Sequence, residues 1–301
     1  MKLIESEVII KEQEPGIDGI YKQIEWAGRH CYKSHDKITE DSAKAFVDRM
    51  INSKHGAMLE HGTVYLITLN ANIANKYIIN KYSVVKRIGG FNENDEAIIT
   101  HYITTNLRVI IENNWSEDLK YICEPTEHHE KRVTARFTCD RGVSHEIVRH
   151  RVMSFAMEST RYCNYEKDKF GNELTYVSPS WLDIDKLLPL VDLANKDNKE
   201  IYRMGHDESL SDEDRAMCSF IYDLSNCEHG YMFQVKCGWQ AQQARQLLPN
   251  AIKTEIIVTG FESDWEHFFS LRSPKAGAQG AHPDMAKLAD ELYEKLNSVN
   301  K

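Results

Sequence analysis

The stretch KRVTARFTCDRGVSHEIVRHRVMSFAMESTRY, Lys131–Tyr162, decides how this chain is read. In its first part Val133, Ala135, Phe137 and Cys139 alternate with Arg132, Thr134, Arg136 and Thr138. A period of two marks a half-buried strand, because successive side chains leave opposite faces. Asp140-Arg141-Gly142 breaks that strand, Ser144 is placed to cap the next element, and HEIVRHRV reads as a short helix. Helical spacing puts Glu146, Arg149 and His150 on one face and turns Ile147, Val148 and Val152 toward a core. Arg149, Arg151 and Arg161 then crowd with His150 into thirteen residues. Either they pair with Glu146, Glu158 and other carboxylates in a structural network, or their planar forks converge on an anionic ligand.

The rest of the chain sharpens that choice. Its 37 basic against 46 acidic residues give a net charge of −9, which disfavours a nucleic-acid or anionic-membrane surface and makes any anion site a local one. The start of the sequence has no basic region followed by an apolar run, and nowhere do about 18 apolar residues run together, so a cytoplasmic location is expected. The seven cysteines, Cys31, Cys123, Cys139, Cys163, Cys218, Cys227 and Cys237, form no C-x-x-C pair and read as reduced thiols. Cys163, just past the arginines, is either a nucleophile or a packed side chain.

Around the central stretch, DSAKAFVDRMI reads as an amphipathic helix through Ala43, Phe46, Val47 and Met50, and TVYLITLNANI after His61-Gly62 as a strand. Residues 88–97 and 164–175 read as surface loops. SLSDEDRAMCSFIYDLSN opens a long helix toward Gly238, and WQAQQARQLLPN gives a helical turn or two stopped by Pro249, with Arg245 on it. EIIVTGF is a strand. Ser263-Asp264-Trp265-Glu266 reads as a capping box for a helix that Ser273-Pro274 ends, which leaves Arg272 in the last turn. A final amphipathic helix uses Met285, Leu288, Leu292 and Leu296. Glu127-His128-His129-Glu130 lacks zinc-helix spacing and reads as a solvated charged stretch, and no metal is expected. Gly89-Gly90 lacks the frame of a Rossmann or P-loop site. The expected architecture is one α/β-type (α+β) domain spanning 1–301, a mixed and largely antiparallel sheet flanked by long helices, with insertions at about 85–127 and 163–210.

Arg149-His150-Arg151, seven residues, then Ser159-Thr160-Arg161 resembles the R-H-R, seven residues, S-x-R signature of the flavin-dependent thymidylate synthases. LEHGTVYL around His61, QQARQLLPN around Arg245 and FESDWEHFFSLR ending in Arg272 resemble further segments of that family. The resemblance implies an enzyme that binds FAD and converts dUMP to dTMP with 5,10-methylenetetrahydrofolate and NADPH, without a cysteine nucleophile. It implies that His61, Thr63, Arg149, His150, Arg151, Phe261, Ser263 and His267 contact FAD. It implies dUMP contacts from Glu146, Arg149, Glu158, Ser159, Arg161, Arg245 and Arg272, with Arg272 and Ser159 as catalytic positions. Where relatives carry Glu or Gln two residues before the serine, this chain has Met157 with Glu158 adjacent, so either faces the ligands. A homotetramer with shared active sites is implied by resemblance alone. The competing readings are a nucleotide or anion sensor that keeps the arginines for binding only, and a relative that alkylates another uridine nucleotide.

Overall fold

The computed structural model describes residues 1–91, 93–167 and 171–299, and the side chain of residue 299 lies outside that description. Positions 92 and 168–170, inside the two expected surface loops, lie outside the described residues. The strands run in chain order β1 (Lys2–Ile4), β2 (Glu7–Ile10), β3 (Thr63–Thr68), β4 (Val84–Phe91), β5 (Ala97–Asn106), β6 (Arg132–Asp140), β7 (Ser154–Met157), β8 (Thr175–Val177) and β9 (Lys253–Phe261). They form a four-stranded antiparallel sheet in the order β2-β6-β9-β7, a three-stranded antiparallel sheet β3-β5-β4, and a short parallel pair β1-β8. The mixed helix-and-sheet class with mainly antiparallel pairing is as the sequence predicts.

The two faces of β6 explain its alternation. Ala135, Phe137 and Cys139 are buried with Val8, Ile256 and Val258 against the helices Glu262–Arg272 and Pro283–Val299, through Trp265, Phe268, Met285 and Leu288. The opposite face carries Arg132, Thr134, Arg136 and Thr138; on that side the helix Gly16–Cys31 and the turn Gly56–His61 pack over the neighbouring β7 and β9, and Arg132 reaches the Glu60 carbonyl of that turn. A covered face with this much polarity must satisfy its groups internally, and that requirement shapes the candidate site. Gly62 permits the close approach: a Cβ there would lie 2.6 Å from Ile24 Cδ1. A second core joins β3 and β5 to the helices Gly16–Cys31 and Ser42–Asn52, and a third lies among the helices Ile184–Lys196, Asn198–Gly205 and Asp212–Lys236.

Local chemistry moves several boundaries from where the sequence pattern puts them. The helix after β6 starts at Arg141, not near Ser144, because the Asp140 side chain accepts from the Val143 amide. It ends at Ile147, since the chain must turn back to pair β7 with β9, so Arg149, His150 and Arg151 sit on a turn and not on a helix. β3 stops at Thr68, and Asn70 caps a helix, Ala71–Ile78, that the apolar run conceals. Residues 88–91, expected as loop, are the exposed end of the β4-β5 hairpin, with Gly89 and Gly90 in register with Ile99 and Ile98. The helix Glu262–Arg272 opens one residue before Ser263, with the Phe261 amide donating to Asp264 Oδ2. His129 is buried, not solvated: its Nδ1 lies 3.0 Å from Thr126 Oγ1 and its Nε2 3.2 Å from the Leu66 carbonyl.

Candidate active site

Arg272, in the last turn of its helix, reaches two residues more than 120 positions earlier in the chain. Its Nη1 donates to Glu146 Oε2 at 2.6 Å and its Nε to His150 Nε2 at 3.3 Å. His150 is buried with its ring edge-on to Phe268, the centroids 4.8 Å apart, and 6.4 Å from the His267 ring. Burial, then the neighbouring guanidinium, lowers the His150 pKa to about 4. The imidazole is therefore neutral near pH 7 and accepts at Nε2, which assigns its proton to Nδ1. Arg272 is left with Nη2 uncommitted among the described residues. Arg149 and Arg151 flank this contact, exposed, with side chains that meet no polar partner among the described residues.

Beyond β7 the chain enters a second charged cluster. Glu158 is buried, its Oε2 3.2 Å from Lys33 Nζ and 3.3 Å from Lys253 Nζ, and its Oε1 accepts from Tyr165 at 3.4 Å. Glu255 shares both lysines, at 3.0 and 2.6 Å. Glu158 is thus one corner of an internal ion quartet, which is the pairing that the network reading expects of it. Met157, one residue earlier, packs against the apolar core of the sheet. Ser159 donates its amide to the Cys31 carbonyl at 3.1 Å. Next to it Arg245 Nη1 approaches Thr160 Oγ1 at 3.5 Å, and these two line a recess of about 240 Å³ with Arg141. Arg141 is a residue that sequence reasoning misses; its position directly after a strand-ending aspartate gives no cue. Arg161 lies exposed, its guanidinium 5.5 Å from the Tyr162 ring centre.

A third group surrounds His61, which is fully buried and holds Thr259 Oγ1 at 2.9 Å through Nδ1. Its Nε2 is sealed without a hydrogen bond of normal geometry, and the ring lies close to the Phe155 backbone. Burial, then the charge of Arg132, lowers its pKa to about 3. Thr63 is clamped by Gln13, which both accepts from its amide and donates to its carbonyl at 2.9 Å. Arg132 donates to the Glu60 carbonyl at 2.9 Å, to Thr63 Oγ1 at 3.4 Å and to Ser154 Oγ at 3.4 Å, with its guanidinium 5.5 Å from the Phe261 ring centre. Ser263 donates its amide to Glu130 at 3.2 Å. In the sequence Arg132 shows only as part of the polar half of an alternation.

The predicted residues therefore form separate neighbourhoods within one chain. His150, His267, Glu146 and Arg272 come together; His61, Thr63 and Phe261 come together around Arg132; Arg245 stands beside Thr160. The chain does not bring Arg149, Arg151 and Arg161 into one pocket with them. None of the buried thiols is poised as a nucleophile: burial pushes Cys31 up to about 11 and Cys139 well above the usual thiol range, and Cys163 is fully buried. Among the described residues, His30, His35 and Glu255 are the one group whose ligand atoms lie within 4.8 Å of one another, but Lys33 and Lys253 both hold Glu255.

The comparisons with known proteins converge on one family. A family model described as thymidylate synthase complementing protein matches residues 114–300. The chain is 27% identical over 159 residues to a flavin-dependent thymidylate synthase of Geobacter sulfurreducens, covering 53% of each chain. It is 29% identical over 163 residues to one of Mycobacterium avium, covering 53% of this chain and 54% of that one. Each match thus spans about half the length of the curated relative. Among solved structures, a UMP/dUMP methylase, PolB, from Streptomyces cacaoi bound with 5-Br dUMP aligns with TM-score 0.42 and 16% identity over 99% of this chain and 91% of that one. Thymidylate Synthase X from Helicobacter pylori, with FAD and dUMP, aligns with TM-score 0.38 and 16% identity over 96% and 92%. Scores this low carry no argument about the site. The match of the family model over most of the chain, including every residue from Arg132 to Arg272, shows that this chain belongs to the thymidylate synthase complementing protein family.

Proposed function

We propose that this protein is a flavin-dependent thymidylate synthase, which reductively methylates dUMP to dTMP with 5,10-methylenetetrahydrofolate and NADPH. The observation that carries the reading is the contact of Arg272 with His150 and Glu146, which joins the R-H-R turn to the end of a distant helix. The Nη2 of Arg272 stays open to solvent, and so to a ligand, while a neutral histidine and a carboxylate fix the rest of its fork.

The residues fit a flavin. Arg149 and Arg151 offer exposed guanidinium groups with no polar partner among the described residues, charges that the flavin phosphates can match. His61, Thr63, Arg149, His150, Arg151, Phe261, Ser263 and His267 would hold the flavin, which supplies hydride transfer when bound and reduced. Glu146, Arg149, Ser159, Arg161, Arg245 and Arg272 would hold dUMP, the arginines taking its phosphate and imide oxygens.

Arg272 does the polarising. A guanidinium aimed at the uracil imide favours the ionised ring, which makes the carbon to be alkylated electron-rich. Glu146 and His150 orient the fork, and Ser159 bonds the nucleotide beside it. No thiol is required, in keeping with the raised pKa of the buried cysteines. The outward-facing Arg149, Arg151 and Arg161 support a homotetramer in which one chain's arginines complete another's site. The chain is read as one catalytic unit over 1–301, located in the cytoplasm; among the described residues no helix is long and apolar enough to cross a membrane.

The test is spectroscopic and chemical. The purified protein should show a flavin spectrum that bleaches on anaerobic addition of NADPH, and should form dTMP when dUMP and the folate are supplied. A colourless protein that binds dUMP would favour a sensor. Faster turnover of UMP than dUMP would favour a ribonucleotide methylase.

A further inference from the structure

The Arg132 guanidinium is held by neutral acceptors alone: a carbonyl and two hydroxyls. Its Nε is sealed from solvent and has no partner. No carboxylate lies within ion-pair distance among the described residues. Glu60, the acid nearest in sequence to its contacts, pairs with Arg108 at 2.5 Å, and Asp264 accepts from the Phe261 amide. A half-buried cation with no carboxylate in contact is costly, and desolvation lowers the Arg132 pKa to about 10 against the attraction of the more distant Glu60 and Asp264. Such a group persists where a ligand supplies the missing charge.

Arg132 lines a cavity of about 380 Å³, with Thr63 and Thr134 beside it and Ile10, Pro15 and Ile20 forming part of the apolar wall. Glu12, Glu14, Glu124 and Glu262 also line this cavity, with Lys11 and Lys131; the four glutamates are exposed, where water screens them. The cavity touches Thr63, a position assigned to the flavin, and the Arg132 guanidinium lies 5.5 Å from the ring centre of Phe261, another.

We infer that Arg132 binds the diphosphate of the flavin dinucleotide. This rests on the flavin reading of the site and extends it to a residue outside the motifs. The diphosphate is chosen over the ring because an oxidised isoalloxazine is neutral, so in the resting protein only the phosphates carry a formal charge that can match the guanidinium.

The full chain, stripped of flavin, is titrated with FAD and with riboflavin, which lacks phosphate, in the unsubstituted protein and in Arg132→Met and Arg132→Lys. Arg132→Met should weaken FAD about 10- to 150-fold, as loss of a charge-assisted bond does, and leave riboflavin affinity unchanged. Arg132→Lys should fall between. Because the apolar isostere removes an uncompensated charge, flavin-free Arg132→Met should melt no lower than the parent. Equal losses for FAD and riboflavin, unchanged FAD affinity, or an Arg132→Met protein that cannot fold would each overturn the inference. A parent chain that binds neither flavin would instead overturn the synthase reading itself.

Discussion

Replacing Arg272 with lysine tests the polarising role at its centre. The arginine spends Nη1 on Glu146 and Nε on His150, and in the proposed role Nη2 would meet the pyrimidine. A lysine ammonium is a point charge with no fork: it can stay with Glu146 or turn to the ring, and cannot do both in fixed geometry. Losing one charge-assisted hydrogen bond to the reacting ring costs about 1.5–3 kcal/mol, or roughly 10- to 150-fold in kcat/KM for dUMP. The effect on folding should be small by contrast. The Arg272 and Glu146 side chains are 20% and 32% exposed, and a pair that open to water contributes up to about 1 kcal/mol, a few degrees in Tm for a chain of this size. The assay is the initial rate of dTMP formation against dUMP concentration, with thermal melting of the same preparations. Activity within about threefold of the parent, at the scale on which 1.4 kcal/mol is tenfold, would refute the role given to Arg272. So would a loss matched by a collapse in Tm, which would make the residue structural.

Glu255→Gln should destabilise the fold by about 3–5 kcal/mol in urea titrations, because it strips the quartet of a charge and leaves Lys33 and Lys253 sharing Glu158 alone. Burial works against the Glu255 carboxylate, yet Lys253 and Lys33 hold its pKa at about 2. Its contribution is therefore present above the ordinary carboxylate value and is lost as pH falls toward 2. His30 and His150 act in the same direction for a different reason: burial disfavours their charged form and holds both at about 4, so the unfolded chain binds protons first. Stability should decline as pH drops from about 6.5 toward 4, with His30 alone accounting for on the order of 3 kcal/mol, read as a falling urea midpoint. Excess iodoacetamide should label exposed Cys237 and leave dTMP formation intact; inactivation protected by dUMP would point to a thiol nucleophile instead. Mixing inactive Arg245→Ala and Arg272→Ala chains should restore activity if the two arginines of one site come from different subunits. Mixed tetramers that recover nothing would place both in one chain's contribution.

The sheet and its helices are largely legible in the sequence because their signals are local. The alternation in β6 and the three-and-four spacing of Ala43, Phe46, Val47 and Met50 reflect where each side chain must point. Boundaries are less legible where two capping residues compete: Asp140 and Asn70 take the amides that Ser144 and an apolar run suggest would go elsewhere. The R-H-R turn and the helix-end arginine are marked by local spacing, but the contact of Arg272 with His150 joins segments 122 residues apart and shows only in the fold. Glu158 illustrates the limit. Its place beside Ser159 suggests a ligand contact, but two lysines, one of them on β9, claim its carboxylate, and no local pattern announces partners 95 and 125 residues away. Arg132 escapes notice for the opposite reason. Alternation places it on the polar face, and only its distant contacts with the Glu60 carbonyl and Thr63 turn a surface-looking arginine into a half-buried cation with a sealed Nε.

The most direct measurement of the central claim tracks the uracil imide itself. With dUMP labelled with ¹⁵N at its imide nitrogen and bound to the flavin-loaded protein, NMR across a pH series reports when that proton leaves. The account predicts ionisation at lower pH than for free dUMP in the parent protein and a return toward the free value in Arg272→Lys. An imide that titrates as it does in free solution, with Arg272 in place and dUMP fully bound, would contradict it.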